Sequence, residues 1–261
     1  MTNTDISAKQ HKDDYSPCKK TRRQFLGIAA TATSISLIAP GIFLNQVQAK
    51  ADAEPASKAV RWGMLIDTNK CQKACDDCVQ ACAEENGWKS QTRNGEELPQ
   101  EVRVQWFRKV DLIGKKTRRE VSLPIGCQHC KKPPCVDVCP TGASFKRDDG
   151  IVLVDKHICI GCRYCMMACP YKARSFVHSP VENHDDYMPR GMGTVESCTF
   201  CVHLVDKNQS PACVSSCKQN AILFGDLNDK NSAIRKRISQ VASRQIRADL
   251  RTEPGVYFQG L

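Results

Sequence analysis

The sequence predicts an α+β protein assembled from two small units of similar construction, and three observations carry that prediction. Sixteen of the 17 cysteines fall into four sets of four, every set closes with an x3 spacing, and short alternating or β-branched runs lie between the sets. Cysteines four residues apart lie on one face of a helical turn, so each set should end in a short helix that presents two thiolates together. Aromatic residues make up only 6 % of the 261-residue chain. Its apolar core is therefore thin, and folding should depend on what the cysteines bind.

The most regular set reads Cys159-x2-Cys162-x2-Cys165-x3-Cys169-Pro170, the ligand run of bacterial ferredoxins for a 4Fe-4S cluster. The other three are Cys71, Cys75, Cys78 and Cys82; Cys127, Cys130, Cys135 and Cys139; and Cys198, Cys201, Cys213 and Cys217. Two-residue spacings let a tight loop wrap one cubane while its backbone N–H groups bond the sulfurs. Four sets predict four 4Fe-4S clusters. Three are expected if the first set, which begins Cys71-x3-Cys75, is incomplete. The eleven residues before Cys213 form a loop excursion that leaves the ligand count unchanged. Zinc uses paired cysteines or cysteine and histidine pairs, and three cysteines at successive x2 spacings followed by Cys-Pro exceed what one zinc needs. A disulfide framework is the other ordinary use of so many cysteines, and the export signal at the start of the chain argues against it.

In two-cluster ferredoxins the fourth cysteine of a run ligates the other cluster. The second and third sets both end in Cys-Pro, and only 19 residues separate Cys139 from Cys159. They make one pair, which leaves the first and fourth sets to exchange ligands. The predicted quartets are Cys71, Cys75, Cys78 with Cys217; Cys198, Cys201, Cys213 with Cys82; Cys127, Cys130, Cys135 with Cys169; and Cys159, Cys162, Cys165 with Cys139. The fold expected is thus two ferredoxin-like bis-4Fe-4S units with an inserted β-hairpin and loops.

Residues 1–49 read as a twin-arginine signal peptide: Thr21-Arg22-Arg23-Gln24-Phe25-Leu26 precedes an apolar stretch from Gly27 to Leu44. That stretch is too short and too rich in Ala, Thr, Ser and Gly for a spanning helix of ~20 apolar residues. Cleavage is expected after Ala49, with Ala51-Asp52-Ala53 as the alternative, and Cys18, outside every set, leaves with the peptide. Export of an already folded chain suits clusters inserted in a reducing cytoplasm. A periplasmic location, with membrane association through partners, is the expectation.

Without the signal the net charge falls from +10 to +7, from 32 basic and 25 acidic residues. Each oxidised cubane with four thiolates carries about −2, so four would bring the loaded protein near neutrality. The basic excess compensates buried anions and implies no nucleic-acid partner.

Residues 50–126 hold the first set and an insertion. There Val102, Val104 and Trp106 alternate with polar residues, and Val110 to Ile113, a Gly114-Lys-Lys-Thr turn and Val121 to Leu123 predict a β-hairpin. Residues 127–178 form the central two-cluster unit, with a short strand over 151–154. Residues 179–229 begin with a turn-rich surface loop over 179–195 and complete the outer unit. Residues 230–261 predict an amphipathic helix through Ile234, Ile238, Val241, Ile246 and Leu250, packed on the body, with a membrane surface as the alternative. His129 and His157 lie beside ligand positions and are expected as hydrogen-bonding or exposed residues. Neither is needed as a ligand. No paired carboxylates, nucleophile or phosphate loop stands out, so no catalytic residue is expected.

The four runs, together with Cys198-Thr-Phe-Cys201, Pro211-Ala-Cys-Val214, Phe224-Gly-Asp-Leu-Asn-Asp229 and Glu253-Pro-Gly-Val-Tyr-Phe258, resemble the four-cluster iron-sulfur subunits of the dimethyl sulfoxide reductase, polysulfide reductase and formate-dependent nitrite reductase systems (DmsB/PsrB/NrfC-like). The resemblance spans nearly the whole mature chain. It implies an electron-transfer subunit without its own substrate site, working in a hetero-oligomeric membrane complex. Within the family, Arg61-Trp-Gly-Met-Leu-Ile-Asp-Thr-Asn-Lys-Cys71, the Cys75-Asp-Asp-Cys78 variant and the leader most resemble the DsrO-type subunits of DsrMKJOP complexes. That branch implies a polytopic NrfD-like quinone-interacting subunit, a periplasmic multihaem cytochrome c and dissimilatory sulfur metabolism. Service to a molybdenum reductase or nitrite reductase system, or clusters that only hold the fold, are the alternatives. Lys218 after Cys217 and Ser197 before Cys198 depart from the family pattern.

Overall fold

The structure, a computed structural model, describes residues 56–93, 95–115, 118–181 and 191–261. The twin-arginine segment, both cleavage positions and residues 182–190 of the expected loop lie outside the described residues. What is described is α+β, with short helices and small sheets.

The largest sheet joins the two ends of the described chain. Strand β1 (Trp62–Asp67) pairs antiparallel with β10 (Ile222–Asp226) on one side and parallel with β12 (Val256–Gln259) on the other, and β11 (Ser243–Arg244) pairs antiparallel with β12. Met64, Leu65 and Ile66 are all buried, as the central position of β1 requires, and Val256 and Phe258 alternate inward along β12. Before β12, the Gly255 amide donates to the Gln128 carbonyl at 2.7 Å, and the Lys131 and Lys132 amides donate to the carbonyls of Glu253 and Thr252. The terminal segment thereby clamps the loop of the second cysteine set. A Cβ at Gly255 would lie 3.2 Å from the His129 oxygen and 3.3 Å from that of Trp62, which explains the glycine.

Four two-stranded ribbons complete the sheet inventory of the described residues: β2–β3 (Thr92–Arg93, Glu96–Glu97), β4–β5 (Arg108–Ile113, Glu120–Ile125), β6–β7 (Ser144–Lys146, Val152–Val154) and β8–β9 (Arg174–Phe176, Val195–Ser197). The expected hairpin is β4–β5, with Val110 opposite Leu123 and Leu112 opposite Val121. The strand expected over 151–154 is β7. The short β2–β3 ribbon has no counterpart in the sequence pattern.

The alternation at Val102, Val104 and Trp106 does not make a strand. Val102 ends a 3-10 turn, Gln100–Val102, and Val104 and Trp106 are buried without a ladder. Side chains replace the missing strand partner. Gln91 Oε1 accepts from the Val104 amide at 2.6 Å while its Nε2 donates to the Val104 carbonyl, and the Ser175 hydroxyl serves Gln105 in the same two ways.

The C-terminal helix is also shorter than its apolar spacing predicts. It runs over Ala233–Gln240, capped by Ser232, whose hydroxyl accepts from the Arg235 amide, and packs against β10 and β1 through the fully buried Ile234. Beyond it the chain turns into β11, because pairing Ser243 with Gln259 and Arg244 with Phe258 extends the sheet. Leu250 is left 41 % exposed. Among the described residues no helix is long and apolar enough to cross a membrane.

Aromatic contacts are concentrated between the large sheet and the cysteine loops. Trp62 stacks on Phe224, which meets Phe200 edge-on, and Phe200 stacks on His129 with ring centroids 3.6 Å apart. Phe258 is fully buried in this core. Phe258→Ala should cost about 3–5 kcal/mol in the guanidinium unfolding of the anaerobically prepared protein. Leu250→Ala should stay within about 0.5 kcal/mol of the parent; a larger loss would mean that a longer helix buries it.

Candidate metal centres

Among the described residues, five short helices follow β1 and precede the C-terminal one, and each carries cysteines within it or at its ends. They are α1 (Asp77–Glu85), α2 (Pro134–Asp137), α3 (Tyr164–Ala168), α4 (Val202–Val205) and α5 (Ala212–Ser215); the C-terminal helix is α6. α1 packs on α5, and α2 packs on α3. Each packed pair comes from two cysteine sets that were expected to exchange ligands.

Three of the predicted quartets each line one cavity. Cys71, Cys75, Cys78 and Cys217 surround about 360 Å3 of space, mouth included. Cys127, Cys130, Cys135 and Cys169 surround about 310 Å3, as do Cys139, Cys159, Cys162 and Cys165. The remaining cysteines, Cys82, Cys198, Cys201 and Cys213, are buried together in the core, where Cys82, Cys213 and Cys201 are the thiols that act on Cys198 most strongly. The quartets surround a space and do not converge on a point. Among the described residues no group of three His, Cys, Asp or Glu side chains is close enough to share a single metal ion.

The electrostatics of these thiols fits a multi-iron centre. Burial pushes Cys78 up to about 12, with repulsion from Cys71 and Cys217 adding to it, and pushes Cys71 and Cys130 up to about 11. Cys198 and Cys213 are raised well above the ordinary thiol range for the same reason, burial first and neighbouring thiolates second. Four thiolates facing one dry space repel one another unless cations lie between them. The irons of a cubane would supply those cations. Cys139 differs: its slight burial works upward, but hydrogen bonds from the Ser144 amide at 3.4 Å and from Thr141 outweigh it and lower the thiol.

Local backbone geometry repeats from set to set. Within Cys-x-x-Cys, the residue before the second cysteine is left-handed at His129, Gly161 and Phe200. Gly161 is required there on packing grounds too, since a Cβ would fall 2.1 Å from the Gly193 oxygen. After the last cysteine of three sets comes a tight turn in which the third residue donates its amide to that cysteine's carbonyl: Gly142 to Cys139, Lys172 to Cys169, and Asn220 to Cys217. Those three donors are left-handed, each is followed by a buried alanine, Ala143, Ala173 or Ala221, and each leads into a strand. The motif Cys-x-x-(turn)-Ala is visible in the sequence, but cysteine spacing alone does not point to it.

The first set lacks both turns. Its Cys71-x3-Cys75 loop is instead held from outside by Lys109 of β4. The ammonium, with only 9 % of the side chain exposed, donates to the carbonyls of Gln72, Lys73 and Cys75 at 2.7, 2.9 and 2.6 Å and lies 3.7 Å from Asp76. Lys109 also lines the cavity of that quartet. Neither histidine is drawn into a thiol quartet as a donor. His129 is buried, accepts from the Val152 amide through Nδ1 at 3.0 Å, and is held down to about 3 by burial and by the charges of Arg174 and Arg61. His157 is exposed.

The 4Fe-4S dicluster domain family matches residues 120–227, which contain the second, third and fourth cysteine sets. Relatives match over nearly the whole chain. The Hdr-like menaquinol oxidoreductase iron-sulfur subunit 1 of Archaeoglobus fulgidus is 37 % identical over 92 % of this chain and 98 % of its own length. A tetrathionate reductase subunit of Salmonella typhimurium is 36 % identical over 92 % and 88 %, and protein NrfC of Escherichia coli K12 is 34 % identical over 91 % and 94 %. The chain belongs to the DmsB/NrfC-like family of iron-sulfur subunits of oxidoreductase complexes. It is an iron-sulfur electron-transport protein that carries 4Fe-4S clusters.

Lys109→Met should leave the fold's large sheet intact but release the Cys71 loop. Anaerobic iron analysis should find a loss of about four irons per chain relative to the parent, the content of one cubane. Retention of full iron would show that the loop holds its ligands without the lysine.

Proposed function

We propose that the protein is a periplasmic electron-transfer subunit with four 4Fe-4S clusters, one in each cysteine quartet, arranged as two ferredoxin-like units. The observation that carries this is the correspondence between cavities and exchanged quartets: three separate spaces are lined by three cysteines of one set and one of its partner set. The sixteen cysteines Cys71, Cys75, Cys78, Cys217, Cys198, Cys201, Cys213, Cys82, Cys127, Cys130, Cys135, Cys169, Cys159, Cys162, Cys165 and Cys139 are then the iron ligands. When bound, each cluster accepts and releases one electron.

The chain's own part is spacing, insulation and tuning. α1 with α5 and α2 with α3 hold the quartets in two packed pairs. Cys82, Cys198, Cys201 and Cys213 are all buried, which isolates their centre from solvent, whereas Cys162 is exposed. Asn86 Nδ2 donates to the Cys82 carbonyl at 2.8 Å and lies 3.8 Å from Cys82 Sγ and 4.0 Å from Cys201 Sγ, where it can stabilise added negative charge.

Electrons run between a polytopic NrfD-like quinone-interacting membrane subunit and a redox partner such as a multihaem cytochrome c, in dissimilatory sulfur metabolism. The Archaeoglobus fulgidus relative, named for a menaquinol oxidoreductase and matched over 98 % of its length, supports the quinone side. The tetrathionate reductase relative supports a second reading, service to a separate reductase. The subunits that co-purify in detergent separate the two.

Iron and sulfide analysis of the anaerobically purified protein should find about 16 of each per chain, and a redox titration followed by electron paramagnetic resonance should resolve coupled, reversible signals. About 12 irons, three cubanes' worth, would mean that the first set binds no cluster. Zinc without redox signals would overturn the proposal.

A further inference from the structure

We propose that Arg174 is the shared counter-ion of the two central clusters, a positioning residue that lies between them and raises both reduction potentials. The inference rests on the quartet assignment above.

Arg174 opens β8, five residues after Cys169, and is 5 % exposed. Among the described residues it is the one charged side chain that lines both central cavities, that of Cys127, Cys130, Cys135 and Cys169 and that of Cys139, Cys159, Cys162 and Cys165. Its Nη2 donates to Cys135 Sγ at 3.1 Å, while Nε and Nη1 are buried with no hydrogen-bond partner among the described residues. Across the strand pair its neighbour is Ser197, not a carboxylate. The charged groups that act on it most strongly are Cys135, Cys127 and Cys165, which belong to both quartets.

A guanidinium remains charged under all ordinary conditions, and burying it without an anion is strongly unfavourable. The buried arginine therefore needs anions. Arg147, whose Nε is likewise unpartnered among the described residues, differs in that its charge is paired with the carboxylates of Asp149 and Asp206 at 2.9 and 2.7 Å. Arg174 has thiolates on two sides and donors still available between them. A fixed cation there favours the state with one more electron in either centre, so each potential rises.

The repeated turns supply an internal comparison. The position five residues after the last cysteine of a set is Ser144, Arg174 or Ile222, each opening a strand after its buried alanine. Ile222 lines the cavity of Cys71, Cys75, Cys78 and Cys217 and brings no charge to it. Lys109 at that outer cavity is already engaged by three carbonyls and Asp76. Arg174 does not line that outer cavity, nor is it among the groups that act most strongly on Cys198 or Cys213 of the other outer quartet, so its effect should fall on the central pair.

The test is a redox titration of the full-length holoprotein, with the central signals assigned by Cys130→Ser and Cys162→Ser. Arg174→Gln should lower both central midpoints by at least tenfold in the reduction equilibrium, about 59 mV for one electron, and leave the outer two in place. Arg174→Lys keeps the charge and should hold both midpoints within threefold of the parent. A shift of neither or only one central midpoint in Arg174→Gln, with iron content unchanged, overturns the proposal. Should Arg174→Gln lose iron, Arg174→Lys must retain it with both midpoints near the parent; loss of iron in both variants also overturns it. A parent protein without two separately assignable central signals would instead refute the quartet assignment itself.

Discussion

Thiols gathered four to one small space, most of them buried or half-buried, are the constraint on which the rest depends. Burial alone pushes such groups towards the neutral form, and ionising them all in one dry cavity sets like charges against each other. Three quartets each line one cavity, and Cys82, Cys198, Cys201 and Cys213 are buried together, an arrangement that makes sense energetically when multivalent metal centres lie among the thiols. The low aromatic content fits this constraint, and one run of aromatic contacts, Trp62, Phe224, Phe200 and His129, leads from the large sheet to the second cysteine loop.

The helices are short because they only need to set two thiolates four residues apart. The turns after them matter as much. A left-handed residue and a small alanine return the chain past the cavity into a strand, and this device occurs after Cys139, Cys169 and Cys217. The first set goes without it. There α1 is longer, the loop has an extra residue, and Lys109 from a distant strand binds three loop carbonyls in place of the missing turn. The terminal segment performs a similar service for the second set, binding the loop after Cys127 through backbone hydrogen bonds, and its Thr252 hydroxyl also meets that of Tyr171, two residues after Cys169, at 2.5 Å.

Cysteine spacing was legible because ligand geometry restricts it strongly, and three cavities are each lined by three cysteines of one set and one of its partner set. The β4–β5 hairpin was legible from Val110, Leu123 and the turn at Gly114. Two misreadings have a shared cause. Val104 and Trp106 alternate like a strand, yet the partner for their backbone is supplied by Gln91 and Ser175. Ile246 and Leu250 continue a helical spacing, yet Ser243 and Arg244 gain more by pairing with β12. In both places a tertiary partner outweighs the local pattern. Lys109 could not be found from spacing, since it reaches a loop 34 to 37 residues away. Arg174 was hidden by the cysteines around it, although its alignment with Ser144 and Ile222 after the repeated turn marks it as the one charged residue among three equivalents.

The central claim is that each quartet holds its own cluster. Anomalous diffraction from crystals of the anaerobically prepared protein, collected on either side of the iron absorption edge, tests it most directly. The account predicts four separate iron peaks, one enclosed by each quartet, with Cys217, Cys82, Cys169 and Cys139 each bound in the quartet of the partner set. Iron bound by all four cysteines of a single set, or a quartet occupied by one isolated ion, would contradict it.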